Sequence, residues 1–412
     1  MTEKNQIQIE LSPESKENDI TFDIKGTSDY GLNKSIINSL RRTLLSTIPS
    51  VAFRTQINDS DIIINENTTS LHNEFLLHRI SLIPLYIDPS KYEKQYLFHL
   101  NVENTSVPIQ TITADDFKIY RLKKNIDPNL IQEINLDNYD MKKTIPDSEK
   151  KEIFRPFQFK GSDKYCIITE LKSTNSSIHQ KLDLYGVPSV SFGKENARWQ
   201  AVSCASYSFK KNDDLFQKIL KDKIFVENID REKIDDFTKE LSIKESERYF
   251  YRDKDGEPFW YTFKIESVHF NNSKELFILA NQLIMDQLEL ISKELPKLSS
   301  EDDSFISISN VKDDIIFKLI LQGYDDTIGN IIQSHIAMKM ISEESVLGTC
   351  GYKKKHPLEE IIHFHVSLNK KNKIFKSNNQ QKIIAIIQTF QEACAELIQI
   401  YSSIKTRATD NL

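Results

Sequence analysis

The sequence predicts an α+β fold from three observations. Apolar residues alternate with polar ones at Ile20, Phe22 and Ile24, and again at Phe259, Tyr261, Phe263 and Ile265, which is the two-residue period of half-buried strands. In three other stretches they recur at three- and four-residue steps, the period of a helix with one buried face. A long block, 54–247, separates the first strand and helix from the next and reads mostly as short strands and loops.

Each element has a local cause. Residues before 18 are polar, and the first strand follows them. Asn33 is the expected N-cap of a helix running to about Thr47, because its short amide can accept from the unpaired N–H groups of a first turn. Ile36, Ile37, Leu40, Leu44 and Leu45 share one face of that helix, and Pro49 stops it. Ser70-Leu71-His72-Asn73-Glu74 reads as a capping box at a second helix start. Tyr96, Phe98, Leu100 and Val102 alternate, as do Leu182 and Leu184. A strand of small residues, Ala201 to Phe209, follows Gly193–Trp199, and the charged segment 210–247 reads as helical and exposed. Asp253-Lys254-Asp255-Gly256 makes a turn. A helix then carries Phe277, Ala280, Ile284, Leu288, Ile291 and Leu295 on one stripe, and Pro296 opens a polar linker. Beyond it come strands Phe305–Val311 and Ile315–Leu321, a helix near Thr327–Ser342 and a strand Ile361–Leu368. The last helix repeats Ile383, Ile387, Phe390, Cys394, Leu397, Tyr401 and Ile404 as one apolar stripe that requires a packing neighbour.

Composition narrows the function. The 412 residues, 39% hydrophobic and 28% charged, fit a globular protein of two or three domains. A net charge of −6 disfavours a sequence-independent DNA binder with a broad basic face. The four cysteines stand far apart and form no C-x-x-C pair, which argues against a cysteine zinc site and a disulfide framework. No segment reads as a signal peptide or a membrane span. His363 and His365 share a strand face with His356 nearby, but no carboxylate pair at ligand spacing accompanies them. No metal and no cofactor are expected.

Two signatures carry the functional reading. Asn38-Ser39-Leu40-Arg41-Arg42-Thr43-Leu44-Leu45, followed by Leu76-Leu77-His78-Arg79-Ile80-Ser81-Leu82-Ile83-Pro84-Leu85, resembles the assembly subunit of multisubunit RNA polymerases. That family contains bacterial alpha, its archaeal counterpart and the third-largest subunit of eukaryotic RNA polymerase II. Gly193-Lys194-Glu195-Asn196-Ala197-Arg198-Trp199 resembles its Gly-Lys-Glu-His-Ala-Lys-Trp motif, with Asn196 and Arg198 at the departures. Ser81 stands where the family has glycine. Downstream, Gly323-Tyr324-Asp325-Asp326-Thr327-Ile328-Gly329-Asn330 and Gly351-Tyr352-Lys353-Lys354-Lys355-His356-Pro357-Leu358-Glu359 look like the small partner of that family, the eleventh polymerase II subunit and its archaeal equivalent. Asp326 replaces the usual histidine there and Lys355 a proline.

The resemblance implies a fusion of two subunits that are usually separate chains, with two alpha-like modules packed through their helices. The expected division is 18–53 plus 248–296 for the first module, 54–247 for a mostly-β insert, 297–303 for the linker and 304–412 for the second module. By resemblance, Asn38, Arg41, Arg42, His78, Arg79, Gly193, Lys194, Glu195, Arg198 and Trp199 face the second-largest polymerase subunit. Asp326, Thr327, Gly329, Asn330, His356, Pro357 and Glu359 form the small-partner motif, in the half that approaches the largest. Ile36, Leu40, Leu44, Ile284, Leu288, Ile331, Ile387, Phe390 and Leu397 form the dimerisation core. With the leucines of their helix buried, Arg41 and Arg42 are expected to point outward, and Arg42→Glu is expected to cost the free protein little.

The expected function is that of a non-catalytic subunit of DNA-directed RNA polymerase that nucleates assembly of the two large catalytic subunits. Its partners are those two and other polymerase subunits; DNA is met only through the complex, and no membrane is involved. Fusion points to a large DNA virus encoding its own polymerase, located in host cytoplasm and virion, with the nucleus as the alternative. The competing readings are a metal-dependent hydrolase built on His356, His363 and His365 and a free-standing dimeric scaffold.

Overall fold

The computed structural model describes residues 7–26, 32–56, 59–105, 108–128, 134–173, 179–245, 248–254, 256–299, 306–312 and 315–412. They divide into two compact units. The first holds 1–44, 204–266 and 273–412, and the second 45–203 with 267–272.

The first unit is one plan used four times, a strand hairpin followed by a helix. Strands β1 (Gln8–Leu11) and β2 (Asp19–Lys25) precede helix α1 (Lys34–Ser46). After the insert, β3 (Val202–Phe209) and β4 (Trp260–Ser267) precede α2 (Ser273–Glu294). The second half continues with β5 (Ile306–Lys312), β6 (Ile316–Gln322) and α3 (Asp326–His335). It ends with β7 (Leu347–Lys354), β8 (Ile361–Leu368) and α4 (Asn379–Asn411). The sheets run β1-β2-β4-β3 and β5-β6-β8-β7, so both place the second strand of each hairpin in the centre.

The periodicities decide which faces are buried. Phe22, Ile24, Tyr261, Phe263 and Ile265 are fully buried, and Phe22 and Phe263 meet Phe277 of α2 edge-on at 5.0 and 5.8 Å between ring centroids. Phe364 of β8 meets Phe390 of α4 at 5.2 Å. Helices α2 and α4 pack along their length. Lys274 donates to the Thr409 carbonyl, Lys405 to Gln282 and Gln391 to the Ser292 carbonyl, so numbers rise on one helix as they fall on the other and the pair is antiparallel. Ile284, Leu288, Ile387, Phe390 and Leu397 are buried, as are Ile36, Leu40, Leu44 and Ile331. At roughly 1.5–3 kcal/mol for each large apolar side chain before entropy costs, this packing is the main source of cohesion in the unit.

The second unit is strand-rich. Ile62–Asn67, Tyr96–Glu103, Lys118–Leu122, Tyr139–Thr144 and Lys181–Gly186 form a five-stranded antiparallel sheet over a core containing Phe53, Phe98, Phe117 and Phe154. Pro49–Ala52 pairs with Ser189–Phe192.

Several expectations change. The helix after Ser70 begins at Asn73 with His72 as N-cap and no side-chain cap. Asn67 organises that loop instead, bonding Thr69 and the Leu71 carbonyl. Strands β1 and β7 were not anticipated: β1 lies in the segment before 18 that reads as polar, yet it buries Ile9 and pairs with β2, and the two glycines and the lysines of β7 hide its alternation. The α-helix expected to reach Ser342 closes at His335 and continues as a π-helical turn, Ile336–Met340. Segment 213–245 is helical, as Asp213–Val226 and Ile234–Glu245, but it groups with the first unit rather than with the insert. Leu295–Ser299, at the start of the expected linker, is a 3-10 turn; 300–303 and Phe305 lie outside the described residues. Helix α4 is long and apolar enough, by length and composition, to cross a bilayer. Its stripe from Ile387 to Ile404 is nevertheless buried in the helix packing of this unit.

Candidate assembly interface

In the first unit the two signatures meet each other. Asn33 caps α1 as expected, its Oδ1 accepting from the Ser35 and Ile36 N–H groups at 2.9 and 3.1 Å. Asp325 caps α3, accepting from the Thr327 N–H at 2.9 Å. Ser35 donates to Ser334 at 3.0 Å, and Arg42 Nε donates to Thr327 Oγ1 at 2.9 Å, so α1 runs antiparallel beside α3. A guanidinium nitrogen of Arg42 also lies 3.5 Å from Asp325 Oδ2. The outward orientation expected of the arginine pair is therefore corrected. Arg42 turns onto the start of α3, where its charge opposes an acidic helix N-terminus, and Arg41 Nε bonds Asn38 one turn back at 2.9 Å. Both stay half-exposed.

The rest of α3 explains its signature. Gly329 is buried where an added Cβ would come 3.0 Å from the Tyr352 ring and 3.1 Å from Ile362, so a larger residue would require those side chains to give way for α3 to lie this close to β7 and β8. Asn330 accepts from Ser334 at 3.0 Å. His356, Pro357 and Glu359 sit exposed in the turn between β7 and β8. Ser39 of α1 and Tyr401 of α4 share a buried hydroxyl bond of 2.5 Å, and burial pushes the Tyr401 phenol above its ordinary value.

In the second unit the Gly193–Trp199 motif is a braced corner. A Cβ on Gly193 would lie 2.2 Å from the Leu45 carbonyl oxygen, a separation no side chain tolerates. Asn196 caps the short turn Ala197–Trp199. Trp199 is fully buried, donates to the Ser189 carbonyl at 3.2 Å and lies near the guanidinium groups of Arg54 and Arg198. Arg198 bonds Thr55 at 2.6 Å and the Phe53 carbonyl at 3.1 Å. Glu195 pairs with Arg54 at 3.2 Å and accepts from Ser191. Trp199 is thus corrected from a contact residue to a support beneath the surface, while Lys194 and Glu195 remain exposed.

The His-Arg motif divides in the same way. His78 is exposed, whereas Arg79 forks onto the Ile168 and Ile167 carbonyls at 2.8 and 2.9 Å and ties its helix to that strand. Ser81, in the glycine position, is buried with its hydroxyl on the His78 carbonyl at 2.8 Å. Leu82 and Pro84 border a cavity of about 170 Å³ that Arg198, Gln200 and His269 also line. Sequence reasoning missed the exposed apolar residues here: Leu82 is 50% exposed and Phe75 68%. Periodicity assigns such residues to a core; Leu82 lies in the signature Leu76–Leu85, whereas Phe75 lies outside it. Among the described residues no three His, Cys, Asp or Glu side chains gather as a metal-ligand set, and the hydrolase reading is not favoured.

Two profiles, each described as the RNA polymerase Rpb3/Rpb11 dimerisation domain, match residues 21–288 and 317–407. The chain belongs to the Rpb3/Rpb11 family. It is an alpha-like, non-catalytic subunit of DNA-directed RNA polymerase, with two dimerisation modules in one polypeptide. It is similar to the Dictyostelium discoideum DNA-directed RNA polymerases I and III subunit rpac1, at 23% identity over 325 residues, covering 72% of this chain and 84% of that protein. The human RPAC1 subunit is 24% identical over 216 residues, 49% of this chain and 54% of that protein. Subunit Rpo3 of the archaeon Methanopyrus kandleri is 24% identical over 207 residues, 49% and 59% of the two chains. The chain thus spans little more than half the length of the human and archaeal relatives. Rpb3/Rpb11-type subunits are intracellular and assemble with other polymerase subunits.

Proposed function

We propose that this chain is the assembly platform of a multisubunit RNA polymerase, a two-subunit alpha-like dimer made covalent. The observation that carries the reading is the antiparallel packing of α2, from the first half, against α4, from the second, within one compact unit. The second-largest subunit is the proposed partner of the side chains around Asn38 and Arg41 and of His78, Lys194 and Glu195, with Phe75 and Leu82 as apolar anchors. Arg42, Arg79, Gly193, Arg198 and Trp199 shape those surfaces from behind. The exposed turn holding His356, Pro357 and Glu359 is the proposed approach to the largest subunit, with Asp326, Thr327, Gly329 and Asn330 setting the helix next to it. The expected division remains part of this reading except that 204–247 belong with the first unit and the insert ends near Ser203.

A fused dimer fits a large DNA virus that carries its own polymerase and works in host cytoplasm and virion. A tagged copy expressed with the polymerase genes of its source should recover both large subunits in equal amounts. Recovery of neither under low-salt lysis would exclude the assembly role. Loss of only the second-largest subunit in a Leu82→Asp/Phe75→Asp variant would assign the insert surface.

A further inference from the structure

The outer face of the second sheet carries cations that few acids balance. In the strand register Lys353 lies opposite His363, and His365 lies between Gly351 on one side and Lys318 on the other. Opposed residues share a sheet face, so Lys318, Lys353, His363 and His365 stand together. Lys355, two residues past Lys353, extends the row. The opposite face, with Phe317, Leu319 and Phe364, is buried. Among the described residues, Lys318, Lys353 and Lys355 form no ion pair. His363 is itself buried and its Nδ1 has no hydrogen-bond partner. Burial, then the charges of Lys318, Lys355 and His365, hold its imidazole below the ordinary range, and Glu359 is the acid that opposes them.

The face is also open. A Cβ added at Gly351 would meet nothing within 4 Å. The Thr349 and Ser367 hydroxyls, 2.7 Å apart, lie just beyond. At one end Leu358 is 87% exposed.

We infer that this face of β6, β7 and β8 docks an extended acidic segment of a partner polypeptide. Three strands about 4.8 Å apart offer a width suited to one extended chain, whose alternate side chains would reach successive cations. Charge complementarity selects carboxylates, and the exposed Leu358 gives an apolar residue of the same segment something to cover. Nucleic acid is the poorer fit. Among the described residues the face holds no Phe, Tyr or Trp on which bases could stack, and the chain as a whole is acidic. This surface is separate from the second-largest-subunit contacts on the insert; it borders the β7–β8 turn proposed to approach the largest subunit, and its test, on the intact chain alone, depends on neither.

The test is fluorescence anisotropy of a labelled oligoglutamate titrated with the intact chain. Saturable binding that weakens with salt is expected. It should fall by about tenfold or more in Lys318→Glu/Lys353→Glu/Lys355→Glu, a charge reversal at the interface. Lys218→Glu/Lys221→Glu, on the helix Asp213–Val226, should leave it unchanged. If the reversal variant melts early, the Lys→Gln triple variant takes its place. Absence of saturable binding, equal loss in both variants, or displacement by a single-stranded oligonucleotide at lower concentration than by oligoglutamate would each overturn the proposal.

Discussion

Arg42 lies where the two signatures of this chain touch, and its neighbours set its expected behaviour. Its bonds to Thr327 and Asp325 join the first half to the second, yet its side chain stays 40% exposed, so solvent screens the pair. Arg42→Ala should therefore cost only about 1 kcal/mol. Arg42→Glu should cost more, because it sets a carboxylate beside Asp325, in place of the near-neutral change expected from the sequence. A double-mutant cycle with Thr327→Val checks the contact, and zero coupling would remove Arg42 from the junction. His335 is a second sensitive residue. Burial holds it below its ordinary value near 6.5, Lys339 adds to the effect, and its 2.7 Å bond to Glu396 opposes it. The unfolded chain then binds the proton more readily than the fold does. Its contribution is complete above about pH 6.5 and is lost as pH falls from there towards the folded value. The melting temperature of the intact protein should drop on acidification by more than that of His335→Gln, and identical slopes would exclude this linkage.

Helices and turns were legible in the sequence to different degrees. The stripes of α1, α2 and α4 could be read because long apolar periods have one interpretation. The cap at Asn33 was legible for the same local reason, whereas the box at Ser70 was overruled by Asn67, whose bonds to the loop depend on where the chain has already been placed. Strand β7 was hidden because Gly348 and Gly351 carry no side chain to show a face. The candidate site was half legible: the motifs located it, but which members face solvent depends on partners distant in sequence, such as Ile168 for Arg79 and Thr55 for Arg198. Two variants test the element-level account. Gly193→Ala should destabilise by about 1–3 kcal/mol, because the corner and the end of α1 have no room to part. Leu397→Ala, at a fully buried position of α4, should cost about 2–5 kcal/mol. Chemical denaturation of each checks both, and a neutral Gly193→Ala would show that the corner yields.

At the scale of the molecule, four repeats of two strands and a helix frame the first unit, with the helices Asp213–Val226 and Ile234–Glu245 added between β3 and β4, and the insert occupies a single connection, between α1 and β3. The equivalent connection in the second half, between α3 and β7, is only Ile336–Val346. Cleavage within 297–303 should leave two fragments that elute together from a sizing column, since the apolar stripes of α2 and α4 remain paired; folded fragments that separate would contradict the packing argument. The sameness of the two sheet orders has a further outcome. Halves with a common topology can in principle be exchanged between neighbouring molecules, each α2 finding the α4 of another chain. A short tether works against this, since it presents the correct half at an effective concentration on the order of millimolar. Swapped dimers should therefore stay rare at ordinary protein concentrations and accumulate only as the protein itself approaches that range. Lengthening the tether would lower the threshold, turning a question of fold into one of crowding.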